Sequence, residues 1–318
     1  MRKQQDTLLG ADSTRLQPSS MRPLSDRRNV GVSLREIERR IRALQSLDLS
    51  RSGVSVDYLR LRLFDLLENY ACRTIFLQSN VKIFRARRKP QGEGEGLFTH
   101  KKELWYPEPQ YVRRLGRLNR IGQPLFYCAT NWETSIFEIR PEVGDIVTVL
   151  ECEAIGAASP MLSAVDTYQQ LARLGVKIDE DPGGAPLRDL RKSIGDSAWR
   201  KNRLIEEFVS AEFTRNVADS HEYEYKLSIA MAELLFSFGI DSRGIDGIAY
   251  PSMRTDLIDV NIALLPRAVD RMYRPIACQT GRIVGFSDIG MPEWEPGVSK
   301  SIHRYGRIEW DLKASASE

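Results

Sequence analysis

Apolar positions along this chain fall into two textures. From Ser33 to about residue 70 they recur every three or four residues. Leu34, Ile37, Ile41 and Leu44 follow the segment SLRE, where Ser33 and Glu36 form a capping-box pattern, so a helix is predicted to start there. A second helix is predicted over about 55–70, with Leu59, Leu63, Leu66 and Leu67 on one side and Asn69 at its close. The two make a helical hairpin over residues 31–72, which could pack on the core or form a dimer contact. From about residue 73 the spacing shortens. TIFLQ, KIFRAR, PLFYCA, DIVTVLECEA, DGIAYPS, VNIALL and QTGRIVGF are short runs rich in Ile, Val, Phe and Tyr, which read as strands. Between about 161 and 238 the pattern is mostly helical, with a DEDPGGAP loop and an apolar EYKLSIAMAELLFSFG segment for which Gly239 is the expected C′ stop. Strands on both sides of a helical stretch predict an α+β fold, not a regular βαβ alternation. Residues 1–30 are polar and arginine-rich with Pro18 and Pro23, and read as a disordered tail. Residues 73–290 form the main domain and 291–318 a C-terminal tail.

Composition narrows the function classes. The chain has 318 residues, is 42% hydrophobic and 28% charged, and carries a net charge of +3. So small a basic excess argues against direct nucleic-acid binding. The four cysteines, Cys72, Cys128, Cys152 and Cys278, form no CxxC pair and read as buried thiols of a reducing compartment. The first residues, MRKQQDTLLGADST, hold no continuous apolar run of signal-peptide type, and no segment approaches the roughly 18 apolar residues of a membrane span. A cytoplasmic location without membrane contact is expected.

Several familiar sites are absent from the sequence. It has no GxxxxGK[ST], and GEGEG at 92–96 lacks the third glycine of a dinucleotide fingerprint. His100, His221 and His303 are scattered, and HEYEY is not HExxH, so no metal site is expected. The candidate chemistry lies in Gly116–Val143, GRLNRIGQPLFYCATNWETSIFEIRPEV, with KIFRARR upstream and DGIAYPSMR downstream. Arg85 or Arg87, Arg117, Tyr127, Glu138 and Ser252 each stand beside an apolar run. Singly, each has an ordinary reading. The arginines can be exposed charges, Tyr127 a core tyrosine, Glu138 the wet face of an amphipathic helix, and Ser252 a turn hydroxyl. Together they describe a polar site for an anionic, sugar-containing ligand, because arginine binds phosphate bidentately and a carboxylate among apolar neighbours needs a partner or a purpose.

The set resembles the RES-domain family through FRARR, the block G-R-x-N-x-x-G followed by an apolar strand with tyrosine and E-T-x-x-x-E, and DGIAYPSMR with VNIALL. The resemblance covers about residues 80–285. It implies an α+β core similar to ADP-ribosyltransferases, with two packed β-sheets around a cleft, carrying a helical insertion and an N-terminal helical extension. It also implies NAD⁺ as substrate, with no other cofactor. Members of the family are typically bacterial toxins of toxin–antitoxin pairs. They consume NAD⁺ by phosphorolysis or hydrolysis, are blocked by a small helix-turn-helix antitoxin, and in some cases are described as modifying proteins by ADP-ribosylation. On matching positions Glu138, Arg85 and Ser252 would be catalytic. Arg85, Arg117, Tyr127, Ser252 and Asn261 would bind NAD⁺, the arginines on its pyrophosphate and Tyr127 at the nicotinamide. A non-catalytic nucleotide- or partner-binding module is the alternative from another class, and a homo-oligomer stays open.

Overall fold

The computed structural model describes residues 32–67, 70–89, 97–166, 187–218, 220–237, 244–252, 259–288, 290–301 and 306–310. The expected N-terminal tail, Asn69, the GEGEG and DEDPGGAP loops and Gly239 lie outside these residues. Seven α-helices are described: α1 (Leu34–Gln45), α2 (Val56–Leu67), α3 (Lys101–Leu104), α4 (Trp132–Glu138), α5 (Leu187–Thr214), α6 (Lys226–Ser237) and α7 (Pro266–Met272). Nine strands accompany them: β1 (Arg73–Phe76), β2 (Ile83–Lys89), β3 (Phe126–Ala129), β4 (Ile146–Ala154), β5 (Met161–Ala164), β6 (Gly247–Pro251), β7 (Val260–Leu264), β8 (Tyr273–Phe286) and β9 (Pro292–Ser301). The fold is α+β, as the sequence pattern predicts.

The strands form one mixed sheet in the order β1-β5-β6-β7-β3-β2-β4-β8-β9, parallel between β5 and β6 and antiparallel elsewhere. This corrects the expectation of two packed sheets. A five-stranded and a four-stranded half are joined where β2 meets β3, and that junction holds a single register pair, Phe84↔Ala129. Both halves nevertheless share one apolar cluster, because Ile83, Leu150 and Cys152 from one pack with Phe126, Cys128 and Ile262 from the other. On the other face the packing separates, with Ile248, Tyr250 and Ala263 in one cluster and Ala86, Val147 and Val149 in another.

The opposite face of the five-stranded half carries α1, α2, α5 and α6. Ile37, Ile41 and Leu44 of α1 and Leu59, Leu63 and Leu66 of α2 join Phe208 and Val209 of α5, Leu234 of α6 and Ile248 of β6 in one cluster. The N-terminal hairpin therefore packs on the core. Ser33 caps α1 by accepting from the Glu36 N–H, while the Glu36 carboxylate turns to Arg39 and Arg40 and leaves the capping box half-formed. Burying a leucine of this kind stabilises by about 1.5–3 kcal/mol, which makes α1 and α2 part of the domain's stability.

Two boundaries move. Met161–Ala164, inside the predicted helical stretch, is β5; four residues buried on both faces show no alternation to read. Pro292–Ser301, assigned to the C-terminal tail, is edge strand β9 paired with β8. Its Pro and Gly disguise it, and an edge strand tolerates proline because one side of its backbone needs no partner.

Candidate active site

Glu138 is the last residue of α4. Asn131 starts this helix, its side chain accepting from the Glu133 and Thr134 N–H groups. Ile139 follows as C-cap, then Arg140 at φ +49° and Pro141 turn the chain away. Ile136 pins the helix onto β2 and β4 through Ala86, Val147 and Val149. Glu138 is thereby delivered to the far ends of β6 and β7. There its Oε1 accepts from Ser252 Oγ at 2.6 Å and from Asn261 Nδ2 at 2.6 Å. Ser252 is 0% exposed and Asn261 5%, while Glu138 itself is half-buried. An amide N–H only donates, so the geometry presents a carboxylate oxygen held by two fixed donors. Three of the six expected residues, from segments more than a hundred positions apart, meet at one atom.

Next to this cluster lies Tyr250, two residues before Ser252 and on the same strand face. It is 5% exposed and packs edge-on against Phe213 at 6.0 Å between ring centroids. Burial raises its phenol well above the usual tyrosine range; the Arg117 cation opposes this rise and the Glu138 charge adds to it. Tyr250 thus stands within electrostatic reach of both groups. The sequence reading passed it over, although its alternation with Ser252 was the available signal.

One end of the Arg117 guanidinium is held by the fold. Its Nη1 donates to the carbonyls of Phe213 at 2.6 Å and Arg215 at 2.8 Å, and its guanidinium stands over the Tyr225 ring. Phe213 belongs to the last turn of α5, whose carbonyls lack intrahelical partners, so Arg117 completes that helix end. Its Nε and Nη2 make no hydrogen bond among the described residues.

Tyr127 holds the turn that carries Arg117. Its hydroxyl donates to Asn119 Oδ1 at 2.8 Å and accepts from the Leu118 N–H at 3.0 Å. Burial raises this phenol above its ordinary value. Gly116 is required beside it, since a Cβ there would stand 2.3 Å from Asn119 Oδ1. The asparagine of G-R-x-N is therefore a turn residue fixed by the tyrosine.

Arg85 lies across the sheet. Its guanidinium stands over Phe126 at 5.3 Å, and Phe126 and Tyr127, successive in β3, point to opposite faces. Nε donates to Leu104 O at 3.0 Å and Nη1 to Tyr127 O at 2.8 Å, so the side chain bridges the place where β2 and β3 diverge. Burial, with Arg87 as a like-charged neighbour, lowers its pKa to about 10. It remains a cation at neutral pH. Arg87, the alternative first arginine, makes no hydrogen bond or ion pair among the described residues.

Other features bound the chemistry. Among the described residues no group of three His, Cys, Asp or Glu side chains could hold a metal ion, and no helix is long and apolar enough to cross a membrane. Two surface hollows of about 250 and 350 Å³ lie elsewhere, beside the N-terminal helices. Neither is lined by any of the candidate residues, and the converging donors at Glu138 make the better chemical case. A family model described as RES domain matches residues 82–284, a span that contains Arg85, Arg117, Tyr127, Glu138, Ser252 and Asn261. No curated protein matches the chain.

Proposed function

Starting from a chain that belongs to the RES domain family, we propose that it is an NAD⁺-consuming enzyme that cleaves the bond between nicotinamide and ribose, with phosphate or water as acceptor. The observation that carries this reading is the Glu138 carboxylate, held by Ser252 and Asn261. Nicotinamide leaves as a neutral base, so cleavage needs no general acid. The barrier lies in positive charge growing on the ribose, an oxocarbenium-like state. A carboxylate fixed before the reaction stabilises that charge without reorganising at the moment of bond breaking. Ser252 and Asn261 supply the fixing. Tyr250 walls the site, and the Nε and Nη2 of Arg117 remain as donors for a phosphate of the ligand. Arg85 acts in this reading as a brace for the sheet junction and not as a pyrophosphate clamp.

The test is incubation of the protein with NAD⁺, with and without inorganic phosphate, and mass analysis of the products. Free nicotinamide with ADP-ribose or its 1″-phosphate is expected. NAD⁺ bound but left intact would overturn the reading in favour of a binding module. ADP-ribose attached to a macromolecule would replace the small acceptor by a protein.

A further inference from the structure

We propose that Thr134 and Asp259 form a positioning clamp that sets where the Glu138 carboxylate stands; the proposal rests on the reading of Glu138 as the charge-stabilising group. Thr134 is fully buried in the first turn of α4, and its hydroxyl donates to Asp259 Oδ2 at 2.6 Å. Asp259 immediately precedes β7. Its backbone carbonyl accepts the Ser252 N–H at 2.9 Å, and Asn261 is two residues further on. One residue therefore touches the helix that carries the carboxylate and the strand end that carries its hydroxyl donor.

Thr134 and Glu138 are four positions apart and lie on one helix face, about 6 Å apart along the axis. The α4 helix thus meets the β6–β7 end at two rungs. The lower is Thr134 to Asp259, the upper Glu138 to Ser252 and Asn261. With seven residues α4 has too few internal hydrogen bonds to fix its own orientation. Ile136 holds it down through apolar contact, which has no preferred direction, while the Thr130 N–H to Val260 O bond before it and the Arg140 bonds to Val217 O and Asn216 Oδ1 after it tie the flanking chain. The lower rung is the directional side-chain bond of the helix's first turn to the β7 end, and it fixes the rotation of that turn beneath Glu138. Thr134 and Asp259 touch no reacting atom in this arrangement; they act through Glu138.

The experiment measures steady-state NAD⁺ cleavage by Thr134→Val, which keeps the branched shape and loses the hydroxyl, and by Thr134→Ser, which keeps the hydroxyl. The expected result for Thr134→Val is a kcat about tenfold lower, within the roughly 10²-fold that a 1 Å misplacement costs, with KM within about twofold. Thr134→Ser is expected to recover most of the loss. A folded Thr134→Val with parental kcat, or one whose KM alone rises, overturns the clamp. If Thr134→Val does not fold, Asp259→Asn, which keeps the acceptor oxygen, is compared with Asp259→Ala; equal turnover of the two overturns it. If the parent protein releases no nicotinamide, the proposed activity fails while the clamp is still read from thermal unfolding. Thr134→Val and Ser252→Ala should then lower the melting temperature by less together than the sum of their separate shifts, and additive shifts overturn the clamp.

Discussion

Replacing Glu138 by Gln separates charge from shape at the candidate site. Gln Oε1 can accept from Ser252 Oγ and Asn261 Nδ2 as the carboxylate oxygen does at 2.6 Å from each. No cavity is opened and both donors stay satisfied. What disappears is charge assistance, the difference between about 1.5–3 kcal/mol for a hydrogen bond to a charged group and about 0.5–1.5 for a neutral one. At about 1–1.5 kcal/mol per bond, two bonds give an expected stability loss of about 2–3 kcal/mol, a fall of several degrees in melting temperature. Turnover should fall much further. A preorganised electrostatic group is worth about 10²–10³ in rate, or about 2.7–4 kcal/mol. Initial rates of nicotinamide release and thermal unfolding on the same preparations supply both numbers. Glu138→Ala is the control, because it removes the acceptor shared by Ser252 Oγ and Asn261 Nδ2 and is expected to lose as much activity and more stability. If Glu138→Gln turns over NAD⁺ at the parental rate, the charge has no role in the chemistry and the argument fails.

Three other outcomes are expected. Burial pushes the Cys72 and Cys278 thiols up to about 12 and those of Cys128 and Cys152 above their ordinary value. A raised pKa delays thiolate formation to higher pH. At pH 8 about one such thiol in ten thousand is ionised, against about a quarter of free cysteine. Alkylation of native protein between pH 7 and 9 should thus be slow and follow unfolding; rapid native labelling of all four cysteines would contradict the packing. Arg120→Ala should cost about 1–3 kcal/mol in urea unfolding, because Arg120 ties α2 to α6 through Asp57 and the mostly buried Glu233; an unchanged midpoint would show the network to be idle. Gly116→Ala should cost about 1–3 kcal/mol by driving Asn119 off the Tyr127 hydroxyl, and a parental melting temperature would mean that the turn yields freely.

The legible part of the site was the part whose geometry is local. Glu138 in a helix just after a strand and Ser252 at a strand end follow from short-range pattern, Asn261 follows from the family resemblance, and the structure brings these three together, with Glu138 at the end of its helix. The sequence marks Arg85 and Arg117 as candidates, and the structure gives both of them backbone carbonyls as partners. Whether a guanidinium is free for a ligand depends on which carbonyls come near it. Those carbonyls belong to Leu104 and Tyr127 for Arg85, and to Phe213 and Arg215 for Arg117. Their exposure depends on where two strands part and where a helix ends, and no window of sequence around either arginine contains that. The sheet behaved likewise. Period-two alternation gave most strands, but β5 is too short and too buried to alternate, and the proline and glycine of β9 match a tail as well as an edge.

The placement of Glu138 also bears on why a carboxylate stands there at all. The C-terminal end of a helix carries negative partial charge from its unpaired carbonyls, and cations are favoured at such ends. An acid as the last residue of α4 is on the unfavourable side of that field. Its sequence neighbours Phe137 and Ile139 have apolar side chains and offer it no hydrogen bond. Glutamine would accept the same two bonds without opposing the helix dipole. Instead Ser252 and Asn261, both buried, are spent on offsetting the charge. A group that local structure disfavours and distant residues restore is the expected mark of a charge kept for chemistry. The same reasoning ties the two stability measurements together: Glu138→Gln should fall a few degrees below the parent and Glu138→Ala clearly further. The reverse order would assign the carboxylate to holding the fold.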